Sequence, residues 1–223
     1  RINPLAGIDI DLPGRREGDA LILEGPIDLF EHELYRAGAI TPQSRASQLV
    51  SRWVDPQPGE RILDLCAAPG GKTTHLAALS GDRAEIVAVE LQPRRAAAIE
   101  RQAKRLHANS VRVVVGDATD LAAIATELGG RFDRVLLDPP CSGFGTLQRH
   151  PDVRWRVQED DMERLAVLQR QMAGEARSVL APGGRFVYSV CTLSPAEELA
   201  CGESTRTFPH RDGTDGFYIG RDG

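Results

Sequence analysis

From residue 61 to residue 189, short apolar runs alternate with longer segments whose apolar residues recur at helical spacing. Arg61-Ile62-Leu63-Asp64-Leu65, Glu85-Ile86-Val87-Ala88-Val89, Val111 to Val115, Arg134-Val135-Leu136-Leu137 and Arg185-Phe186-Val187-Tyr188 each read as a buried strand. Between them the pattern predicts a helix through about Leu79, one from about Arg94 to Leu106, and a weaker one from Leu121 to Leu128. A long helix is predicted from about Glu159 to Leu180, stopping at Pro182-Gly183-Gly184. Strands that are apolar throughout, set between amphipathic helices, make a mostly parallel α/β sheet with helices on both faces.

The two ends of the chain differ from this middle. Pro and Gly are frequent up to about residue 40, and Ile8-Asp9-Ile10 and Ala20-Leu21-Ile22-Leu23 are short and strand-like. This predicts a small N-terminal α+β appendage over residues 1–42, with a helix from Gln43 to Trp53 leading into the main domain at 43–223. Near the C-terminus, Pro195-Ala196-Glu197-Glu198 reads as a helix start that polar, glycine-rich sequence cuts short, and Phe217-Tyr218-Ile219 reads as a last strand. The break predicts a connecting segment missing near residues 199–203. The first residue is Arg1 rather than methionine, which predicts residues before it.

Composition narrows the class. The 223 residues suit one sizeable core with an appendage. No apolar run approaches the roughly 20 residues of a membrane span, and the N-terminus lacks a signal-peptide shape. Cys66, Cys141, Cys191 and Cys201 form neither a disulfide framework nor a C-x-x-C zinc pair, which fits a reducing cytoplasm and no metal. A net charge of -5 argues against a nucleic-acid partner only in the sum. Locally, Arg149, His150, Arg154 and Arg156 crowd one loop beside Cys141 and are candidates for phosphate contact.

Candidate chemistry gathers where strands end, which is where ligands bind in open α/β sheets. After the first strand, Asp64-Leu65-Cys66-Ala67-Ala68-Pro69-Gly70-Gly71-Lys72-Thr73 only half-matches a phosphate loop, because Cys66 stands where the first glycine belongs. Ala67, Ala68, Pro69, Gly70 and Gly71 still allow a carboxylate close approach to a helix N-terminus. Glu90 at the end of the second strand can accept two ribose hydroxyls, and Asp117 after the third can face an adenine amino group. These three partners together make S-adenosyl-L-methionine the predicted cofactor. Cys141 in Asp138-Pro139-Pro140-Cys141-Ser142-Gly143 and Cys191 in Tyr188-Ser189-Val190-Cys191-Thr192 follow two further strands. Two thiols in one crevice suggest covalent chemistry, although free cysteine is also a common small core residue.

Four stretches carry a resemblance: Asp64 to Thr73, Asp138 to Gly143, Arg149-His150-Pro151-Asp152-Val153-Arg154-Trp155, and Ser189 to Thr192, with Asp215-Gly216-Phe217-Tyr218 as a last strand. Over residues 40 to 223 the chain resembles the Sun (Fmu) family of RNA cytosine-5 methyltransferases, and most of all its bacterial branch acting on small-subunit ribosomal RNA. The resemblance implies a class I, Rossmann-like methyltransferase fold, an RNA partner, no membrane and a monomer. It implies Cys191 as the nucleophile, Cys141 as the group assisting product release, and Asp138 as a hydrogen-bond partner of the cytosine ring. Lys72 is implied near the methionine end of the cofactor or beside the catalytic groups. The cofactor residues implied are Cys66 to Lys72, Glu90, Asp117 and Asp138, with Cys66 as packing or backbone contact. Residues 1–42 correspond to part of an RNA-binding-type module. Glu90, Pro139, Phe144 and Val190 depart from the family pattern without removing a required group. Trp155 either stacks on RNA or anchors its loop. His75 is expected to be structural, and Cys201 has no assigned role. The rival readings are a DNA-type enzyme using Cys141, a catalytically silent RNA-binding or ribosome-assembly factor, and a phosphate-loop NTPase.

Overall fold

The computed structural model describes residues 1–223, apart from the side chain of Glu159. At the N-terminus, β1 (Gly14–Glu17) and β2 (Ala20–Leu23) form a two-stranded hairpin, followed by the single turn α1 (Glu33–Arg36). Helix α2 (Arg45–Val54) begins on Ser44, whose side chain accepts the Ser47 N–H. An alternation of strand and helix follows: β3 (Arg61–Leu65), α3 (Gly71–Leu79), β4 (Glu85–Glu90), α4 (Pro93–Arg105), β5 (Val111–Val115), α5 (Ala125–Leu128) and β6 (Phe132–Leu137). The chain ends through the short α6 (Val153–Arg156), the long α7 (Glu159–Ser178), β7 (Leu180–Val190), β8 (Glu203–Thr207), α8 (Pro209–Asp212) and β9 (Phe217–Asp222).

The main sheet has seven strands in the order β5-β4-β3-β6-β7-β9-β8. The first five are parallel, and β9 runs antiparallel to both β7 and β8. Leu63, Leu65, Val87, Val89, Phe132 and Phe186 pack one face against Met172, Ala173 and Ala176 of α7. Ile62, Ile86, Leu136 and Val187 pack the other against α2 and α3. Burial on both faces explains why the central strands read as unbroken apolar runs. This is the doubly wound α/β sheet expected.

Several boundaries differ from expectation. Helix α7 ends at Ser178, and Pro182-Gly183-Gly184 lie inside β7. The pairing jumps from Phe132↔Leu180 to Arg134↔Arg185, so this Pro-Gly-Gly forms a bulge that an edge-to-centre strand accommodates with Gly183 at positive φ. Residues 121–128 split into a 3-10 turn over Leu121–Ile124 and a short α-helix. Ile8-Asp9-Ile10 form no strand; polar Gly14–Glu17 pairs with β2 instead. Pro195–Glu197 make one 3-10 turn. Residues 199–202 run as a short link tied to β9, with the Tyr218 hydroxyl donating to Leu199 O and the Gly202 N–H to Asp222 at 2.8 Å. They lead into β8, whose Glu-Ser-Thr-Arg-Thr composition carries no strand signal because an edge strand needs none.

The N-terminal segment is stitched to the sheet's helices by polar links. The Asn3 amide donates to Gly38 O at 2.9 Å and Leu106 O at 2.8 Å, and the Arg105 guanidinium reaches Tyr35 O at 2.7 Å. His75, fully buried on α3, pairs with Asp19 of the β1–β2 turn, and burial lowers its pKa to about 4. That is the structural role expected of it.

Candidate active site

The crevice lies at the C-terminal ends of β3, β4, β5, β6 and β7, where the chain, having run outward from β3 through β4 to β5, crosses back to β6 on the other side of β3. The loop after β3 turns tightly: Cys66 has φ 60° and Gly70 has φ 96°. A side chain at Gly70 would meet the Ile99 backbone at 3.2 Å, so glycine is required there both by conformation and by space. Gly70 is also the cap of α3 and offers no side-chain bond, which leaves the helix N-terminal N–H groups open toward the crevice. Asp64 lies beneath this loop, 1% exposed, and accepts the Thr73 hydroxyl at 2.6 Å through one oxygen while the other has no partner. Burial pushes its pKa up to about 7. Cys66 packs 4.0 Å from the Met172 sulfur and burial pushes its thiol up to about 12, so it is a packing residue and no nucleophile.

Two clefts share this crevice. One, of about 340 Å³, runs along Glu90, Gln92, Asp117, Pro139, Met172 and Cys141. The other, of about 240 Å³, is lined by Ser44, Lys72, Thr146, Arg149 and Phe217. Cys66, Ala68, Asp138 and Cys191 line both. Glu90 is 3% exposed at the end of β4 and accepts the Gln92 N–H at 3.1 Å. Asp117 spends one carboxylate oxygen on the Thr119 N–H and hydroxyl, at 2.8 and 2.7 Å.

Asp138, at the end of β6, is the hub between the clefts. It accepts Lys72 Nζ at 2.6 Å on one oxygen and the Ser189 hydroxyl at 2.6 Å on the other. Burial opposes the charge on Lys72, but Asp138 outweighs it and holds the ammonium above its ordinary pKa. The Cys141 and Cys191 sulfurs are 3.3 Å apart. The hydrogen bond to Cys191, together with burial, raises Cys141 well above the ordinary thiol value. The same hydrogen bond lowers Cys191 against burial, and Lys72 adds to the lowering.

The loop carrying Cys141 is fixed against the one carrying Cys191 by close backbone approach. Gly145 donates to Cys191 O at 3.0 Å, and its carbonyl accepts Gly216 N–H at 2.8 Å; a Cβ there would lie 1.8 Å from Gly216 O. A buried carboxylate, Glu197, joins the same two loops through Ser142 and Thr192.

The structure brings together every site residue expected: Cys66, Ala67, Ala68, Pro69, Gly71, Lys72, Glu90, Asp117, Asp138, Cys141 and Cys191 all line the two clefts, and Gly70 shapes their floor. Ser189 and Glu197 were not among them. Period-2 alternation along β7 puts Ser189 on the face of Cys191, which was a readable signal. Nothing in Pro195-Ala196-Glu197-Glu198 tells which glutamate turns inward. Of the basic loop, Arg149 is held by buried Asp215 and still borders a cleft, while Arg156 pairs with Asp152 at 2.8 Å. Trp155 is 79% exposed, so it does not anchor the loop; the neighbouring Val153, 7% exposed, does.

The family model described as 16S rRNA methyltransferase RsmB/F matches residues 51–203. The ribosomal RNA small subunit methyltransferase B of Erwinia tasmaniensis is 35% identical, over 92% of this chain and 52% of its own. That of Vibrio cholerae is 38% identical, over 86% of this chain and 43% of its own. The crystal structure of NSun6 from Pyrococcus horikoshii superposes with a TM-score of 0.78 at 31% identity, over 88% of this chain and 56% of that one. The chain thus spans about half the length of the curated relatives it matches.

Proposed function

The chain belongs to the 16S rRNA methyltransferase RsmB/F family, and from this we propose that it methylates C5 of a cytosine in RNA, in particular small-subunit ribosomal RNA, using S-adenosyl-L-methionine. The observation that carries the reading is the placement of Cys191 and Asp138 on the wall common to both clefts. A cofactor on one side and an unstacked base on the other then meet at the same thiol.

The residues of the larger cleft fit the cofactor. Glu90 has carboxylate capacity for ribose hydroxyls and Asp117 keeps one oxygen beyond its Thr119 bonds, while the open N-terminus of α3, which suits a carboxylate, borders the smaller cleft and joins the larger one through Cys66 and Ala68. When bound, S-adenosyl-L-methionine supplies an electrophilic methyl group to C5. Cysteine chemistry makes C5 ready for it. The Cys191 thiolate adds to cytosine C6, and the electron pair of the C5–C6 bond moves toward C5. Asp138 hydrogen-bonds the ring edge and is itself oriented by Lys72 and Ser189. After methylation a solvent base takes the C5 proton, the electron pair of that C–H bond restores the C5–C6 double bond, and the C6–S bond breaks with its pair returning to the Cys191 sulfur. Cys141, the thiol of raised pKa, is the proton donor beside the departing sulfur and assists release.

Residues 1–42 are read as part of an RNA-binding-type module and 43–223 as the methyltransferase domain. Exposed Trp155 and the arginines around it supply base stacking and phosphate contact. No helix is long and apolar enough to cross a membrane, and four free cysteines suit work in the cytoplasm, as a monomer. The test is Cys191→Ala incubated with ribosomal RNA and methyl-labelled cofactor. Loss of all transfer is expected; undiminished transfer refutes the assignment, and loss confined to Cys141→Ala would mark a DNA-type enzyme.

A further inference from the structure

Glu197 lies outside the two clefts, yet it is the best-connected side chain behind them. It is 1% exposed. Its carboxylate accepts the Ser142 N–H at 2.8 Å, the Gln169 amide at 3.1 Å, the Thr192 hydroxyl at 2.9 Å and the Ser142 hydroxyl. Every one of these partners is neutral. A buried carboxylate lacking a cation is costly, and only full hydrogen bonding offsets it. The backbone is fixed as well: Tyr188 of β7 donates its hydroxyl to Glu197 O at 2.7 Å. Gln169 also donates to Pro140 O at 2.9 Å, so α7 braces the same loop.

Ser142 and Thr192 are the residues immediately after Cys141 and Cys191. Their hydroxyl oxygens are 2.7 Å apart, and both point at the same carboxylate. We infer that Glu197 is a positioning residue, a strap that joins the residues following the two cysteines and so holds their thiols in register for methyl transfer. The inference rests on the reading of Cys141 and Cys191 as the reacting pair. An apolar residue could fill the space, but only an acceptor of several bonds can tie both loops at one point. The negative charge has a second effect. It adds, after Cys191, burial and Asp138, to the causes that raise the Cys141 thiol above its ordinary pKa.

The test compares the full chain with Glu197→Gln, Ser142→Ala and Thr192→Val. Phenylarsine oxide condenses with two neighbouring thiols and releases one water, so its affinity reports thiol register without any reaction on RNA. Glu197→Gln should bind it about 10-fold more weakly, because the thiols are no longer pre-organised. In methyl transfer, kcat should fall about 10- to 100-fold with the cofactor KM unchanged, as expected when a group orienting a reacting side chain is lost. A fall in kcat at an unchanged cofactor KM is the split that a merely structural role would not give. Unchanged arsenical affinity and kcat in Glu197→Gln overturn the inference. If that variant does not fold, Ser142→Ala and Thr192→Val decide: weaker arsenical binding in either supports the strap, and parental binding in both removes it. If the parent chain itself transfers no methyl group, the function fails, while the arsenical comparison still judges the strap.

Discussion

The crevice has two sides built on different plans. The side formed by β3, β4 and β5 is made of backbone and small residues: the Cys66–Gly70 turn, the open end of α3, and single acids at Glu90 and Asp117. The side formed by β6 and β7 is made of side chains bonded to one another: Asp138 and Ser189, joined by Lys72 reaching across from α3, in one set, and Ser142, Thr192 and Glu197 in another. On the proposed reading the first side holds the cofactor, with parts that contact it one by one. The second is arranged to hold reacting groups in register, and its parts depend on each other. Substitutions on the two sides should therefore fail differently.

Among the groups that surround the two thiols, the largest effect is expected at Asp138. Asp138→Asn removes the negative charge and one of the two oxygens that accept from Lys72 and Ser189, and kcat should drop about 10³-fold, within the range for a group acting on a proton or ring edge in the transition state. Cofactor affinity measured by calorimetry should change far less. A parallel loss of both would merge the two sides. Glu90→Ala is the reverse case. Removing a charged hydrogen-bond acceptor should weaken cofactor binding by about 2 kcal/mol, roughly 30-fold, with kcat at saturation near the parental value. A kcat defect there would contradict the division.

A smaller effect sharpens the boundary between the sides, where Asp64 underlies the loop and approaches Lys72 and Asp138. Its pKa is about 7 folded against 3.8 for the free side chain. The folded state therefore holds a proton the unfolded state has lost across that interval. The stability this contributes is complete below the lower value and disappears as pH rises through about 7. Buried His75, with its pKa lowered to about 4, contributes the opposite slope over part of this range, so the comparison is between proteins: in thermal unfolding, the parent should lose stability relative to Asp64→Asn as pH rises between these limits. An equal slope in both proteins would mean that Asp64 is ionised throughout.

The same contrast governs what could be read from sequence. Ligand-holding features are local: a glycine turn and an acid after a strand stand in short stretches, so Cys66 to Lys72, Glu90 and Asp117 were all legible, as were β3, β4, β5 and β6. Register-holding features join distant residues. Glu197 is 55 positions from Ser142, and no pattern near Pro195 says which of two adjacent glutamates is buried. The misread segments have physical reasons of the same kind. Pro182-Gly183-Gly184 stop a helix when read locally, but the pairing of Leu180 with Phe132 makes them a bulge in β7. β1 and β8 are polar strands held by their partners, with no hydrophobic alternation to reveal them.

The most direct measurement follows the covalent bond. Cys141→Ala protein, incubated with cytosine-containing ribosomal RNA and cofactor and then digested, should yield a peptide carrying an RNA fragment on Cys191, because addition proceeds while release is impaired. An RNA adduct on any other residue, or rapid turnover with no adduct, would contradict the account of two thiols held 3.3 Å apart for separate tasks.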